Sequence, residues 1–364
     1  MVTADVLAYR REVTATVDRL SGLLGPDTWD CARRQPPVRQ ALAALGEAGL
    51  LTPVIPSSRK RSAESLAYSA VLHETLAPYP LGAAVLTHVE VGSRLIAAHL
   101  PSEPVLELAR RGRHLPALAV TEPAGGLDFD AMSTTLTPVS GASNGAFEID
   151  GEKWFCSNSP FADELIVLTR DGRFGPDSAG RHTLVRVPRE APGVTVEALN
   201  TFGHRGLTGH VRLDGVLLDE RSLLGTPGGG LVVLMRHWVH ERVMLAVRMT
   251  AMADWLLSLP ELAAVRGHET VLTDLAMEVT QERAAYHRAW RRMAADACDI
   301  REAAGCKLRA GRLLRRTADA VLLVQGLAGA DTGPVDRVLR DALGLALAGG
   351  SEEALLMQIA RSLT

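Results

Sequence analysis

The hydrophobic period of this chain changes twice, and that limits the folds open to it. Up to about residue 115 the apolar residues recur at helical spacing, as Leu42, Leu45 and Ala48, then Leu66, Ala70, Leu72 and Leu76. Pro36-Pro37, Pro53 to Pro56 and Pro78 to Pro80 cut this stretch into several helices. From Pro116 short runs rich in Val, Thr, Leu and Phe take over, divided by Gly, Asp, Asn and Pro. After Gly228-Gly229-Gly230 helical spacing returns, through Trp238, Met249 and Leu256, then Leu275 to Trp290, then Ala303 to Leu327, with a shorter pair after Pro334. The pattern predicts an α+β multidomain chain: helices over 1–115, an antiparallel β-sheet or barrel over 116–225, and a helical bundle over 226–364.

Within the middle stretch, Phe147 to Asp150 and Glu152 to Cys156 flank Asp150-Gly151, a pair that favours a hairpin turn. Asp214-Gly215 allows a second. Leu165 to Thr169, Thr183 to Val187 and Val194 to Leu199 read as further strands.

Composition narrows the function classes. A chain of 364 residues, 47% apolar, is long enough for two or three packed units. A net charge of −3 supplies no global field to recruit nucleic acid or an anionic membrane. The N-terminus is charged from the start, and no apolar run is expected to span a bilayer. Cys31, Cys156, Cys298 and Cys306 form no C-x-x-C pair, so reduced thiols and a cytoplasmic location are expected. His237, His240 and Glu241 stand in the order H-x-x-H-E, which matches neither common zinc-helix motif, and no metal is expected.

Two segments carry chemistry. One is Ala119-Val-Thr-Glu-Pro-Ala-Gly-Gly-Leu-Asp128, the other Asp150-Gly-Glu-Lys-Trp-Phe-Cys-Ser-Asn158. By themselves Thr121 and Ser157 could satisfy strand ends, and Phe155 could be core. Correctly ordered and together, the segments resemble the flavin-contacting middle domain of the acyl-CoA dehydrogenase family. That family has a helical N-terminal domain, a β middle domain and a C-terminal four-helix bundle, and it binds FAD. The resemblance implies flavin contacts from Val120, Thr121 and Gly126 in the first segment. In the second it implies Phe155 where an aromatic covers the ring and Ser157 where a hydroxyl meets the flavin. Leu127 stands where the family has a phosphate-contacting Ser.

The resemblance also implies a homo-oligomer, dimer or tetramer, in which a second subunit completes the FAD site. Gln325-Gly-Leu-Ala-Gly329 and Pro334 to Asp341 resemble the segments involved, which assigns Gln325 and Gly329 to the cofactor. The family's Arg-x-x-Phe-Gly element is not recognisable around Ser258 to His268.

Dehydrogenation beside a thioester needs a carboxylate to take the α-proton. The usual family position falls here on Gly349, which cannot do so. One branch of the family carries its base on a helix before an Arg, and Glu241-Arg242 fits that arrangement. Glu241 is the expected base, with Arg242 placing it; Glu352 and Glu353 compete for the role. The implied activity is FAD-dependent oxidation of a small acyl thioester, held on acyl carrier protein or CoA, with an external electron acceptor. The departures resemble the carrier-protein branch that makes hydroxymalonyl extender units for polyketides. A short- or branched-chain acyl-CoA dehydrogenase and a catalytically silent partner subunit remain the alternatives.

Overall fold

The apolar run Leu165-Ile166-Val167-Leu168 has both faces buried, and the molecule is layered around it. Leu165 and Val167 face the interior of a β-sheet, whereas Ile166 and Leu168 face the N-terminal helices. The structure is a computed structural model that describes residues 4–24, 37–55, 62–123, 129–139, 146–175, 181–200, 206–264, 266–326 and 334–361.

The N-terminal layer comprises α1 (Ala4–Arg19), α2 (Ser21–Leu24), α3 (Val38–Glu47), α4 (Ala63–Thr75), α5 (Leu81–Leu86), a π-helical stretch (Thr87–Ser93), α6 (Arg94–His99) and α7 (Val105–Arg110). Ser62 caps α4, its side chain accepting from the Ser65 N–H. Leu81–His99 is, by length and composition, apolar enough to cross a bilayer, contrary to the expectation that no such run exists. It is mostly buried inside the protein, as a core helix is. Its two charges, Glu90 and Arg94, pair with each other at 2.9 Å.

The strands are β1 (Pro116–Ala119), β2 (Thr135–Pro138), β3 (Phe147–Ser157), β4 (Glu164–Asp171), β5 (His182–Pro188), β6 (Val194–Ala198), β7 (Thr208–Leu218) and β8 (Leu223–Leu224). They form one sheet in the order β6-β7-β3-β2-β4-β5-β8, with β1 also on β4. The sheet is mixed. Every pairing is antiparallel except those of β1 and β2 with β4, which are parallel. Parallel neighbours need a long crossover, and β2 and β3 lie within the one that joins β1 to β4. Residues 116–119 of β1 pair along the first half of β4 and Thr135-Leu136 of β2 along its end, so the segment between β1 and β2 interrupts the sheet there.

Neither Asp-Gly pair is a hairpin turn. β3 and β7 each run on for 11 residues and pair with one another. Asp150-Gly151 lies opposite Asp214-Gly215, where the register shifts between Ile149 and Gly151. Gly215 takes φ 59° and donates its N–H to Asp150 Oδ1 at 2.8 Å. This is a β-bulge, which asks for the same positive-φ residues as the tight turn.

The C-terminal layer comprises α8 (Gly230–Leu257), α9 (Glu269–Ala294), α10 (Ile300–Gln325), α11 (Pro334–Leu347) and α12 (Glu352–Arg361). Gly228-Gly229-Gly230 is a helix start pressed against β5: a Cβ on Gly230 would lie 2.8 Å from the Leu184 nitrogen. The bundle shares its core with Leu66, Ala70, Ala77 and Leu86 of the N-terminal layer. Asp299 caps α10 by accepting from the Glu302 N–H at 2.7 Å.

Candidate active site

The break between β1 and β2 is closed by a buried ion pair. Lys153 Nζ donates to Glu122 Oε1 at 2.7 Å and to Val120 O at 3.3 Å. The Glu122 carboxylate also accepts from the Ser133 N–H at 2.6 Å, the Ser133 hydroxyl at 2.7 Å and the Thr134 N–H at 3.0 Å. Burial works to raise the Glu122 carboxyl, but the bonds from Lys153 and Thr134, the lysine charge and the Ser133 N–H outweigh it and hold it down at about 2. The pair binds one predicted segment to the other. In register with it, the Trp154 backbone N–H donates to Thr121 O at 2.7 Å.

Sequence reasoning placed Val120, Thr121, Phe155 and Ser157 in one site, and the structure brings their backbones together at the ends of β1 and β3. Phe155 sits in a second bulge, between Lys153 and Cys156, at φ 56°. A bulky residue rarely adopts that conformation, and its ring is 57% exposed. The side-chain hydroxyls of Thr121 and Ser157 are partly accessible and make no hydrogen bond to any described residue. An exposed aromatic ring and a hydroxyl at the end of β3, with a second hydroxyl on the segment bonded to it through Trp154, fit a flat ring with polar edges, such as a flavin. Gly126 and Gly329 lie outside the described residues; Gln325 ends α10, partly exposed.

The β segment is linked to α8 by aromatic contacts. Phe129 lies 5.9 Å from the Trp238 ring of α8, and the Arg242 guanidinium lies 5.7 Å from that same ring. Glu241 and Arg242 follow within the next turn of α8.

Glu241 is partly buried, and its Oε2 has no hydrogen-bond donor among the described residues. Burial raises its carboxyl to about 7; Arg242 and Lys307 pull the other way, and Glu90 adds to the rise. Arg242 does not hold the carboxylate. Its Nε donates to Gly349 O at 2.8 Å and its Nη1 to Gln358 Oε1 at 2.7 Å. Gly349 takes φ 66°, and a Cβ placed on it would lie 3.8 Å from Glu241 Oε1. The two positions from which the family can present a base thus point into one corner. Glu352 does not reach it, because it pairs with Arg312 at 2.5 Å on the surface, and Glu353 is exposed at the start of α12.

Two groups here were missed from sequence. Lys307 of α10 is buried and donates from Nζ to Ala346 O at 2.7 Å and Gly350 O at 2.5 Å. Burial and the Arg242 charge bring its ammonium down to about 7, against support from Glu241 and Glu352. Glu90 is fully buried among Arg94, His73, Ser69 and His240, so His240 serves that cluster. Both had a signal. Lys307 lies on the apolar stripe Ala303, Ala310 and Leu314, and Glu90 lies inside an apolar helix, where a charge needs a reason.

Comparison with known proteins agrees with this architecture. Residues 117–216 match the model of the acyl-CoA dehydrogenase middle domain, and residues 228–364 that of the acyl-CoA dehydrogenase C-terminal domain. The chain belongs to the acyl-CoA dehydrogenase family. It is 28% identical to the probable acyl-CoA dehydrogenase FadE10 of Mycobacterium tuberculosis, over 88% of this chain and 53% of the relative. The chain therefore spans about half the length of that curated relative. Among solved structures, an acyl-CoA dehydrogenase of Geobacillus kaustophilus superposes with a TM-score of 0.87 at 23% identity, over 99% of this chain and 98% of that one. The prolyl acyl carrier protein oxidase AnaB superposes with a TM-score of 0.87 at 18% identity, over 99% of both chains. At these identities the superpositions speak for the fold.

Proposed function

We propose that this chain is a cytoplasmic FAD-dependent dehydrogenase of small acyl thioesters in which Glu241 is the base that takes the substrate's proton. The observation that carries the reading is the 3.8 Å approach of a Gly349 Cβ to Glu241 Oε1. A carboxylate from either backbone would occupy the same corner, and in this chain only the one on α8 exists. Its carboxyl near 7 has the proton affinity of a base that works at neutral pH. Arg242, engaged with Gly349 and Gln358, fixes the turn against which Glu241 rests.

FAD, when bound, supplies the hydride acceptor for the substrate carbon, and an external electron acceptor reoxidises it. Val120, Thr121, Gly126, Phe155 and Ser157 would hold it in one copy of the chain. Gln325 and Gly329 would reach it from a second copy in a homo-oligomer. Thr121 and Ser157 offer hydroxyls, and Phe155 offers an apolar face.

For the substrate we propose a three-carbon hydroxyacyl group on acyl carrier protein, a precursor of the hydroxymalonyl polyketide extender unit, which gives a hydride from its terminal, hydroxyl-bearing carbon and the hydroxyl proton to Glu241. Support comes from the departures at Leu127 and Gly349 and from the likeness in fold to AnaB. Carrier proteins are acidic, and exposed arginines would steer them. Arg33-Arg34 and Arg59-Lys60-Arg61 lie outside the described residues. Arg111 and Arg113 contact Glu107 and Glu47, and Arg312 and Arg316 contact Glu352 and Glu278; these are surface pairs that a partner carboxylate can replace at little cost.

The test is flavin reduction with one acyl group presented on carrier protein and on CoA. Reduction should be faster with the carrier protein, and the preference should shrink with salt, since the screening length is about 8–10 Å at physiological ionic strength. Equal or faster reduction with the CoA ester at low and moderate salt would assign the chain to acyl-CoA metabolism.

A further inference from the structure

Lys307 places an ammonium in the interior with no carboxylate bonded to it among the described residues. Its Nζ donates instead to Ala346 O, in the last turn of α11, and to Gly350 O, in the turn that follows. The C-terminal carbonyls of a helix carry negative partial charge, which favours an ammonium there. Both bonds hold one piece of backbone. Gly349 and Gly350 take φ 66° and 114°, and Arg242 fixes the same turn from the α8 side through Gly349 O. Glu241 lies against this turn.

We propose that Lys307 is a positioning residue for the base: from α10 it clamps the Gly349-Gly350 turn against Glu241 and, while protonated, presents a positive charge to that corner. The inference rests on Glu241 being the base. The charges facing Glu241 are Arg242 on its own helix, Lys307 from α10 and Glu90 from the π-helical stretch. Those facing Lys307 are Arg242, Glu241 and Glu352. Glu90 pushes the Glu241 carboxyl up, whereas Arg242 and Lys307 pull it down, so loss of Lys307 shifts the balance toward the protonated, inactive acid. Arg242 cannot compensate fully, because it is itself fixed on Gly349 O and Gln358.

The test compares wild type, Lys307→Met, Lys307→Gln, Lys307→Arg and Glu241→Gln in the FAD-loaded enzyme. Flavin reduction by substrate is followed from pH 5.5 to 9.5. Lys307→Met should move the acidic limb of the profile up by about one pH unit, a loss of about fivefold at about pH 7 that approaches about tenfold at lower pH and is largely recovered at high pH. Lys307→Gln can keep the carbonyl bonds and removes only the charge, so it should show the same shift and stands in if the Met variant does not fold. Lys307→Arg should hold the limb near its wild-type position. A second readout needs no turnover: the infrared carboxylate band that Glu241→Gln removes should titrate at higher pH in both neutral variants. A uniform loss of rate with an unmoved limb and an unmoved band would make Lys307 a purely structural residue and overturn the proposal. Retention of reduction by Glu241→Gln would instead remove Glu241 as the base, a different failure with a different signature.

Discussion

Two buried carboxylates lie in adjoining layers, and they are treated in opposite ways. Glu122 accepts four hydrogen bonds, one of them from a buried ammonium, and its carboxyl is held at about 2. Glu241 has an Oε2 with no donor among the described residues, and its carboxyl is raised to about 7. The first arrangement closes a gap in a sheet and leaves no capacity for a further proton. The second leaves capacity at neutral pH and sacrifices stability to do so. The layers therefore divide the work. The β layer holds geometry, and the corner between α8, α10 and the Gly349-Gly350 turn holds a carboxyl that can exchange a proton near neutral pH.

The sharpest way to break this comparison is Glu241→Gln. Flavin reduction by substrate should fall by about 10²–10⁴, the usual size of general-base loss, with FAD still bound. The same change should stabilise the fold at alkaline pH. A carboxyl raised from 4.5 to about 7 in the folded state is charged at a cost once the pH exceeds 4.5. That cost grows as pH rises to 7 and then levels off, on the order of 3 kcal/mol. Denaturation at pH 4 and pH 8 checks it: the variant's advantage should appear at pH 8 and vanish at pH 4.

Lys153→Met should act in reverse. It strands a buried Glu122 carboxylate and should cost about 3–5 kcal/mol of stability, as breaking a buried pair does. The double variant Glu122→Gln with Lys153→Met leaves no unpaired charge and should recover part of that loss in chemical denaturation. An equal loss in the double variant would mean that the lysine's packing, not the ion pair, closes the gap. The wild-type pair carries its own pH signature. Glu122 has a lowered carboxyl, so its stabilisation is complete above about pH 4.5 and is lost as pH falls toward about 2. Acid unfolding monitored in Glu122→Gln should lack that part of the transition.

How much of this was legible depended on whether the signal was local. The short runs Leu165 to Thr169 and Thr183 to Val187, rich in apolar and β-branched residues, marked β4 and β5, and the Thr121 and Ser157 segments could be read as one site. The two Asp-Gly pairs misled because a turn and a bulge need the same backbone, and only the facing strand decides between them. The parallel edge of β4 is a long-range pairing with no local mark. The buried lysines were legible and overlooked. Lys153 continues the face of Phe147, Ile149 and Gly151, and Lys307 interrupts an apolar helical stripe. A cation on an apolar face has to find a partner, and each of these has one of the two contrasted corners as its destination.

The smallest expected effect concerns the open side of the β layer. Phe155 holds a large aromatic ring in solvent, at 57% exposure, from a backbone conformation that only a bulge enforces. Such a residue gives little to the fold, so Phe155→Ala, which keeps the same strained φ, should change folding stability by no more than about 0.5 kcal/mol. If its ring instead covers the flavin, the loss appears in binding. Aromatic stacking contributes about 0.5–1.5 kcal/mol beyond buried area, which corresponds to roughly 2–13-fold weaker FAD affinity. Fluorescence titration of FAD into apoprotein, beside a denaturation curve of the same preparation, separates the two quantities. Unchanged affinity with lowered stability would make Phe155 part of the structural layer, and the division between a holding layer and a reacting corner would lose its cofactor-facing side.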